Sequence, residues 1–133
     1  MAETLRFALV SPERELYSGE VEQVDAPGVE GEFGVLPRHA PFMTTLKSGV
    51  VRIREAAGVT AVFVRGGFAD VTPDGLTILA EEAVRLADVD VSQLEQQISD
   101  LRADANDPGD DARKGRAAER LKYLEALRAA LSA

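Results

Sequence analysis

The sequence predicts a sandwich of about ten antiparallel β-strands followed by an antiparallel α-helical hairpin, and two observations carry that prediction. Between Thr4 and about Leu86, short and mostly alternating apolar–polar segments are separated by turn residues. Near Asp88 the apolar spacing changes to steps of three and four. Many short strands at such intervals indicate a sandwich or barrel rather than a sheet with crossover helices. The change of period divides the chain into a β-domain, residues 1–86, and a helix–turn–helix, residues 87–133.

Leu5, Phe7 and Leu9 alternate with Arg6, Ala8 and Val10, the pattern of a strand with one buried face. Further strands are expected at 15–17, 20–26, 32–36 and 42–46. Val51-Arg52-Ile53-Arg54 alternates again with its charges outward, and Ala56-Ala57-Gly58 turns it into a hairpin with 59–64. The Gly66-Gly67 pair marks a bulge or a close approach of backbones, and 68–71 reads as the next strand. Pro73-Asp74-Gly75 is a turn, because proline presets one dihedral and glycine accepts positive φ. Leu76-Thr77-Ile78-Leu79 forms the strand that follows it.

Val91, Leu94, Ile98, Leu101 and Ala105 fall on one helical face. Asn106-Asp107-Pro108-Gly109 stops this helix, since proline lacks the amide donor and clashes with the preceding turn. Asp110 or Asp111 caps the next helix, whose apolar stripe is Ala117, Leu121, Leu124, Leu127 and Leu131. A short connection makes the two helices antiparallel. Charge is sorted between them. Asp88, Asp90, Glu95, Asp100, Asp104, Asp107, Asp110 and Asp111 stand against Arg102 alone up to residue 111. Beyond it Arg113, Lys114, Arg116, Arg120, Lys122 and Arg128 face only Glu119 and Glu125. Exposed pairs contribute about 0–1 kcal/mol each, so a hairpin held this way is also one that opens toward a competing acidic surface.

Composition narrows the function. At 133 residues the chain is long enough for its own core, and 45% hydrophobic with 29% charged residues is ordinary for a globular protein. A net charge of -8 argues against a nucleic-acid partner, which calls for a cationic face. The first residues carry acids and no long apolar core, unlike a secretory signal. No apolar run approaches the roughly 20 residues that span a bilayer, so membrane association has to come through a partner protein. Cysteine is absent, which removes disulfide and thiolate chemistry.

Little points to catalysis. His39 is the single histidine, whereas a metal site needs several ligands and a catalytic triad needs a base with an orienter. There is no Walker-type phosphate loop, and Gly28, Gly31 and Gly34 do not form a dinucleotide-binding fingerprint. Glu81-Glu82 reads as a solvated strand end. No enzyme activity, cofactor or metal is expected. The densest stretch is 28–41, GVEGEFGVLPRHAP, where glycines and prolines fix unusual turns around Glu30, Glu32, Arg38 and His39. Loops held on a rigid scaffold are where partner contacts concentrate. Composition alone would also suit a free β-sandwich binding module with a helical dimerisation tail.

The blocks GEFGVLPRHAP at 31–41, Leu46 with Gly49, VRGGFADV at 64–71 and TILAEEA at 77–83 resemble the ATP synthase epsilon-subunit family. LVSPERELYSGEV at 9–21 fits the same family, so the likeness runs in ordered blocks from about residue 5 to 86. The C-terminal part agrees in helical-hairpin architecture rather than in particular residues. The resemblance implies a ten-stranded sandwich with two helices, in a non-catalytic rotor subunit of the central stalk of F-type, proton-translocating enzymes. It implies gamma as a partner through a sheet face, and the ring of c subunits as a partner through Gly31, Glu32 and His39, with Arg38 beside them. A further implication is a hairpin that rises into the catalytic alpha/beta head and hinders ATP hydrolysis. Arg113, Lys114, Arg116, Arg120 and Lys122 are the basic residues for that contact. Such a subunit sits peripherally at the cytoplasmic face of the bacterial inner membrane.

One departure from the family matters. Some bacterial relatives bind ATP through a motif of the form Ile/Leu-Asp-x-x-Arg-Ala at the start of the hairpin. The corresponding stretch here keeps Asp90 after Val89, but Gln93 and Leu94 replace the Arg and Ala. Glutamine lacks the cationic fork that arginine offers a phosphate, so nucleotide sensing is not expected.

Overall fold

Strand β1 (Leu5–Val10) buries Leu5, Phe7 and Leu9 and exposes Arg6, because successive side chains of a strand point to opposite faces. The same rule builds nine more strands in the computed structural model, which describes residues 3–105, 109 and 111–132. They are β2 (Glu15–Val21), β3 (Gln23–Gly28), β4 (Gly31–Val35), β5 (Phe42–Leu46), β6 (Gly49–Glu55), β7 (Gly58–Val64), β8 (Gly67–Thr72), β9 (Gly75–Ala80) and β10 (Ala83–Arg85). The chain divides into two compact units, Met1–Ala87 and Asp88–Ala133.

The strands form one sheet in the order β10-β7-β6-β3-β5-β8-β9-β1-β2, with β4 paired to β3. β3 runs beside β6 through Gln23, Val24 and Asp25 but meets β5 only where Gly28 faces Leu46. The sheet bends at that corner and closes over a shared core in which Phe7, Leu9, Val24, Ile53, Val62 and Ile78 are fully buried. The expected sandwich is thus observed. Gly67 shows why the glycine pair is there. Its φ is 133°, and a Cβ on it would lie 2.3 Å from the Leu79 carbonyl oxygen, so only glycine lets β8 approach β9 here.

Several details depart from the sequence expectation. The ladder between β1 and β9 is parallel, while the other ladders among the described residues are antiparallel. It joins the β1–β2 and β8–β9 hairpins side by side, and local alternation carries no information about such a joint. The expected strand over 20–26 is broken at Glu22, whose N–H donates to the Arg54 carbonyl at 2.8 Å as the chain passes from β2 into β3.

In the second unit, Asp90 caps α1 (Val91–Ala105): its carboxylate accepts from the Gln93 N–H at 3.1 Å. The second helix is α2 (Asp111–Ser132). The expected stop at 106–108 and the cap at Asp110 lie outside the described residues. Ion pairs fix the helices as antiparallel, since Glu95 meets Arg128 at 3.1 Å, Arg102 meets Glu125 at 3.5 Å and Asp104 meets Arg113 at 3.2 Å. Leu94, Ile98, Ala117, Leu124 and Leu127 are buried, Leu101, Leu121 and Leu131 half-buried, and Val91 exposed. Tyr123, outside the expected stripe, is buried as well.

Candidate interaction surface

The segment from Gly28 to Phe42 is shaped by backbone constraints before any side chain is considered. Gly28 has the Gly31 carbonyl oxygen and the Phe33 ring about where a Cβ would stand, at 2.7 and 3.0 Å, and Gly31 adopts φ 136°. These positions let β3 reverse tightly into β4, leaving Val29, Glu30, Gly31 and Glu32 exposed at the tip. After β4 the chain turns again, and the His39 N–H donates to the Leu36 carbonyl at 3.2 Å. Arg38 inside that turn has φ 62°, the one positive φ among the described non-glycine residues.

Side chains then connect the loops. The Arg38 guanidinium pairs with the Glu3 carboxylate, which raises the guanidinium further above its ordinary pKa through the hydrogen bond and the charge. Both groups are well exposed, so the pair orients the loop more than it stabilises the fold. The His39 ring places Nδ1 2.7 Å from the Ala40 carbonyl, an oxygen that can only accept, so Nδ1 is the donor in this bond. The His39 ring lies 6.4 Å from Phe42, which meets Phe33 edge-on at 5.4 Å. A row of three rings therefore links the turn that holds His39 to the strand that holds Glu32. Leu36, Phe42 and Val29 stand exposed near these polar groups in sequence. The sequence pointed to Gly31, Glu32, Arg38 and His39 but missed Glu3, Phe33 and Phe42. Strand alternation could have exposed Phe42; nothing local could have paired Glu3 with Arg38.

A second surface lies on the outer face of β5, β8 and β9. Thr45 faces Phe68, Phe68 faces Leu79, and Leu79 faces Val10 of β1, while Met43 lies opposite Asp70. Met43 is 61% exposed and Leu79 54%. Outward-facing Met, Phe and Leu in one patch mark a contact surface better than they mark a solvated sheet.

The hairpin residues singled out from the sequence are placed separately. Val89 is half-buried, Leu94 is buried and Gln93 is exposed, so Asp90 acts as a helix cap. Among the basic residues, Arg113 pairs with Asp104, and the Arg120 guanidinium lies 4.9 Å over the Tyr123 ring. Lys114 is half-buried; Arg116 and Lys122 are exposed. An open groove between the helices is lined by Ile98, Arg102, Glu125, Arg128 and Ser132, but both of its arginines are engaged by carboxylates. Among the described residues no cluster of His, Cys, Asp or Glu could hold a metal ion, and no helix is long and apolar enough to cross a membrane.

Residues 4–86 match the family described as ATP synthase, Delta/Epsilon chain, beta-sandwich domain. The ATP synthase epsilon chain of Hyphomonas neptunium is 54% identical over 135 residues, covering 99% of this chain and 99% of the relative. This chain belongs to the ATP synthase epsilon-chain family. The family's epsilon chain from Maricaulis maris is 47% identical over 129 residues, 97% of each chain. In fold, the chain is similar to one in the cryo-EM structure of Euglena gracilis mitochondrial ATP synthase containing OSCP, F1 and the c-ring. That likeness has a TM-score of 0.79 at 27% identity and covers 96% of this chain and 81% of the other. A chain of the Tetrahymena thermophila mitochondrial ATP synthase central stalk and c-ring shares the fold, with a TM-score of 0.62 at 17% identity.

Proposed function

We propose that this chain is the non-catalytic rotor subunit of the central stalk in a proton-translocating ATP synthase, coupling ring rotation to ATP synthesis. The observation that carries the reading is the 54% identity with an epsilon chain along nearly the whole length of both. In this reading the outer face around Met43, Phe68 and Leu79 docks on the gamma subunit. The loop end with Gly31, Glu32, Arg38 and His39 rests on the polar loops of the c-ring, the Phe33–Phe42 pair stiffening the segment behind them. The work is mechanical. A close-packed sandwich transmits load because its interior has little compressibility, and no bond is made or broken in it. The subunit sits peripherally at the cytoplasmic face of the bacterial inner membrane, held there by its partners.

The hairpin serves as a brake in the same reading. Extended into the alpha/beta head, α2 offers Arg113, Lys114, Arg116, Arg120 and Lys122 to an acidic segment there. Arg113 would then exchange Asp104 for a carboxylate of the head, a change that costs little between exposed groups.

Capture of the tagged full chain from detergent-solubilised membranes tests the assignment. Gamma and c subunits are expected in the eluate, and their absence rejects it. Exchange of Glu32, Arg38 and His39 together for alanine tests the ring contact. Proton pumping per ATP hydrolysed should fall at an unchanged melting temperature; normal pumping removes these residues from the contact.

A further inference from the structure

A β-bulge interrupts β2 where it runs beside β1. Leu9 and Val10 pair with Tyr17 and Glu15, leaving Leu16 as the extra residue. Such a bulge bends its strand and takes backbone groups out of the ladder. The Leu16 carbonyl accepts from the guanidinium of Arg85, the last residue of β10. The next residue, Tyr17, donates its hydroxyl to Glu55 Oε1 at 2.5 Å, at the end of β6. Its ring lies 5.6 Å from Phe7 in the core. Tyr17 remains a donor far above neutral pH: burial first, then Glu55, pushes its pKa up to about 12, against the opposing charge of Arg85.

These bonds join elements that the ladders leave apart. β2 and β10 are the two ends of the strand path, and among the described residues no ladder connects them. β10 has three residues and, among the described residues, pairs only with β7. We propose that Tyr17, Glu55 and Arg85 form one side-chain latch that closes the seam between β2 and the ends of β6 and β10, and that the sandwich opens first at this seam. Elsewhere on the path, opening would break backbone–backbone hydrogen bonds, even at the narrow β3–β5 corner, where Val29 donates to Thr45 and Lys47 to Pro27; here it breaks a few bonds made by side chains. Local opening follows the route with the fewest bonds to lose. The latch also shields two edge strands that would otherwise offer free backbone groups to a strand of another molecule.

Hydrogen exchange of the full chain, followed by mass spectrometry, tests this with Tyr17→Phe, Arg85→Met and the double variant. Tyr17→Phe keeps the ring beside Phe7 and removes only the hydroxyl, so it decides the matter even if Arg85→Met fails to fold. Amides of β2 and β10 should exchange faster by on the order of tenfold, the effect of losing a hydrogen bond to a charged group. Those of β9 and the centre of β3 should keep the wild-type rate. In the double variant the acceleration should fall short of the product of the two single effects. Equal acceleration in all strands, unchanged rates in β2 and β10, or fully multiplicative single effects would overturn the latch.

Discussion

Phe7, Ile53 and Ile78 are wholly removed from solvent in the sandwich, whereas Ile98, central to the stripe of α1, keeps 7% of its surface and Leu127 of α2 keeps 5%. A sheet folded over on itself gives each strand an inner face; a pair of helices shares one seam. The hairpin adds ion pairs from Glu95 to Arg128, Arg102 to Glu125 and Asp104 to Arg113, all between solvent-accessible groups. Apolar burial dominates one unit, and narrow packing with screened charge the other. The sandwich should therefore ignore salt and tolerate no cavity, while the hairpin should respond to salt and come apart at low cost.

Truncation of a core side chain gives the largest expected effect. Phe7→Ala should cost about 3–5 kcal/mol, the range for emptying a buried aromatic site, a large part of the stability of a small domain. Ile98→Ala should fall at the low end of about 2–5 kcal/mol and affect the helical signal first. Denaturant titration followed by circular dichroism measures both, and a larger loss for Ile98→Ala would reverse the comparison.

Two glycines sharpen it with opposite signs. Gly67→Ala forces a Cβ against the Leu79 carbonyl at a positive φ and should cost about 1–3 kcal/mol. Gly115 in α2 has open space around it, so Gly115→Ala should stabilise the helix by roughly 1 kcal/mol. Thermal melts of the two variants should move in opposite directions.

Alkaline pH isolates one bond of the sandwich. The folded pKa of Tyr17, about 12, lies above its ordinary 10.0, so folding favours the neutral phenol. That contribution is complete below pH 10.0 and is lost as pH rises toward 12. Tyr17→Phe should be less stable than wild type near neutral pH, and the gap should close across that window. A gap that stays constant to pH 12 would remove the titrating hydroxyl from the account.

The smallest effect belongs to the hairpin. A double-mutant cycle on Glu95 and Arg128, with side chains 58% and 37% exposed, should give a coupling of about 0.2–1 kcal/mol at low salt. It should vanish near ~1 M salt, where screening acts over about 3 Å. A coupling that persists there would mean the pair is shielded like the sandwich core.

How much of this could be read from the chain depended on how local the cause was. Alternation exposed β1, β6 and β9, and the turns at Ala56-Ala57 and Pro73-Asp74 followed from dihedral preferences of single residues. The break at Glu22 was invisible because its partner, the Arg54 carbonyl, lies on another strand. The parallel β1–β9 ladder was invisible for the same reason. At the loop end, the family likeness supplied Gly31, Glu32, Arg38 and His39, but the ring row through Phe42 and Phe33 depends on where the sheet bends. Tyr123 was passed over because a stripe traced through Leu121 and Leu124 is narrower than the face a helix buries.

The parallel ladder also sets an order in time. Phe7 lies opposite Leu76 and Leu9 opposite Ile78, so β1, which is synthesised well before β9, waits for it before that side is covered. Chains emerge from the N-terminus, and contacts between such distant residues form late. Until residue 80 is out, the nascent sandwich lacks one of its seams, and the apolar row of β1 stands uncovered on that flank. The helices that follow cannot supply the missing strand. During this interval the open edge of β1 is available to a chaperone or to a neighbouring nascent copy.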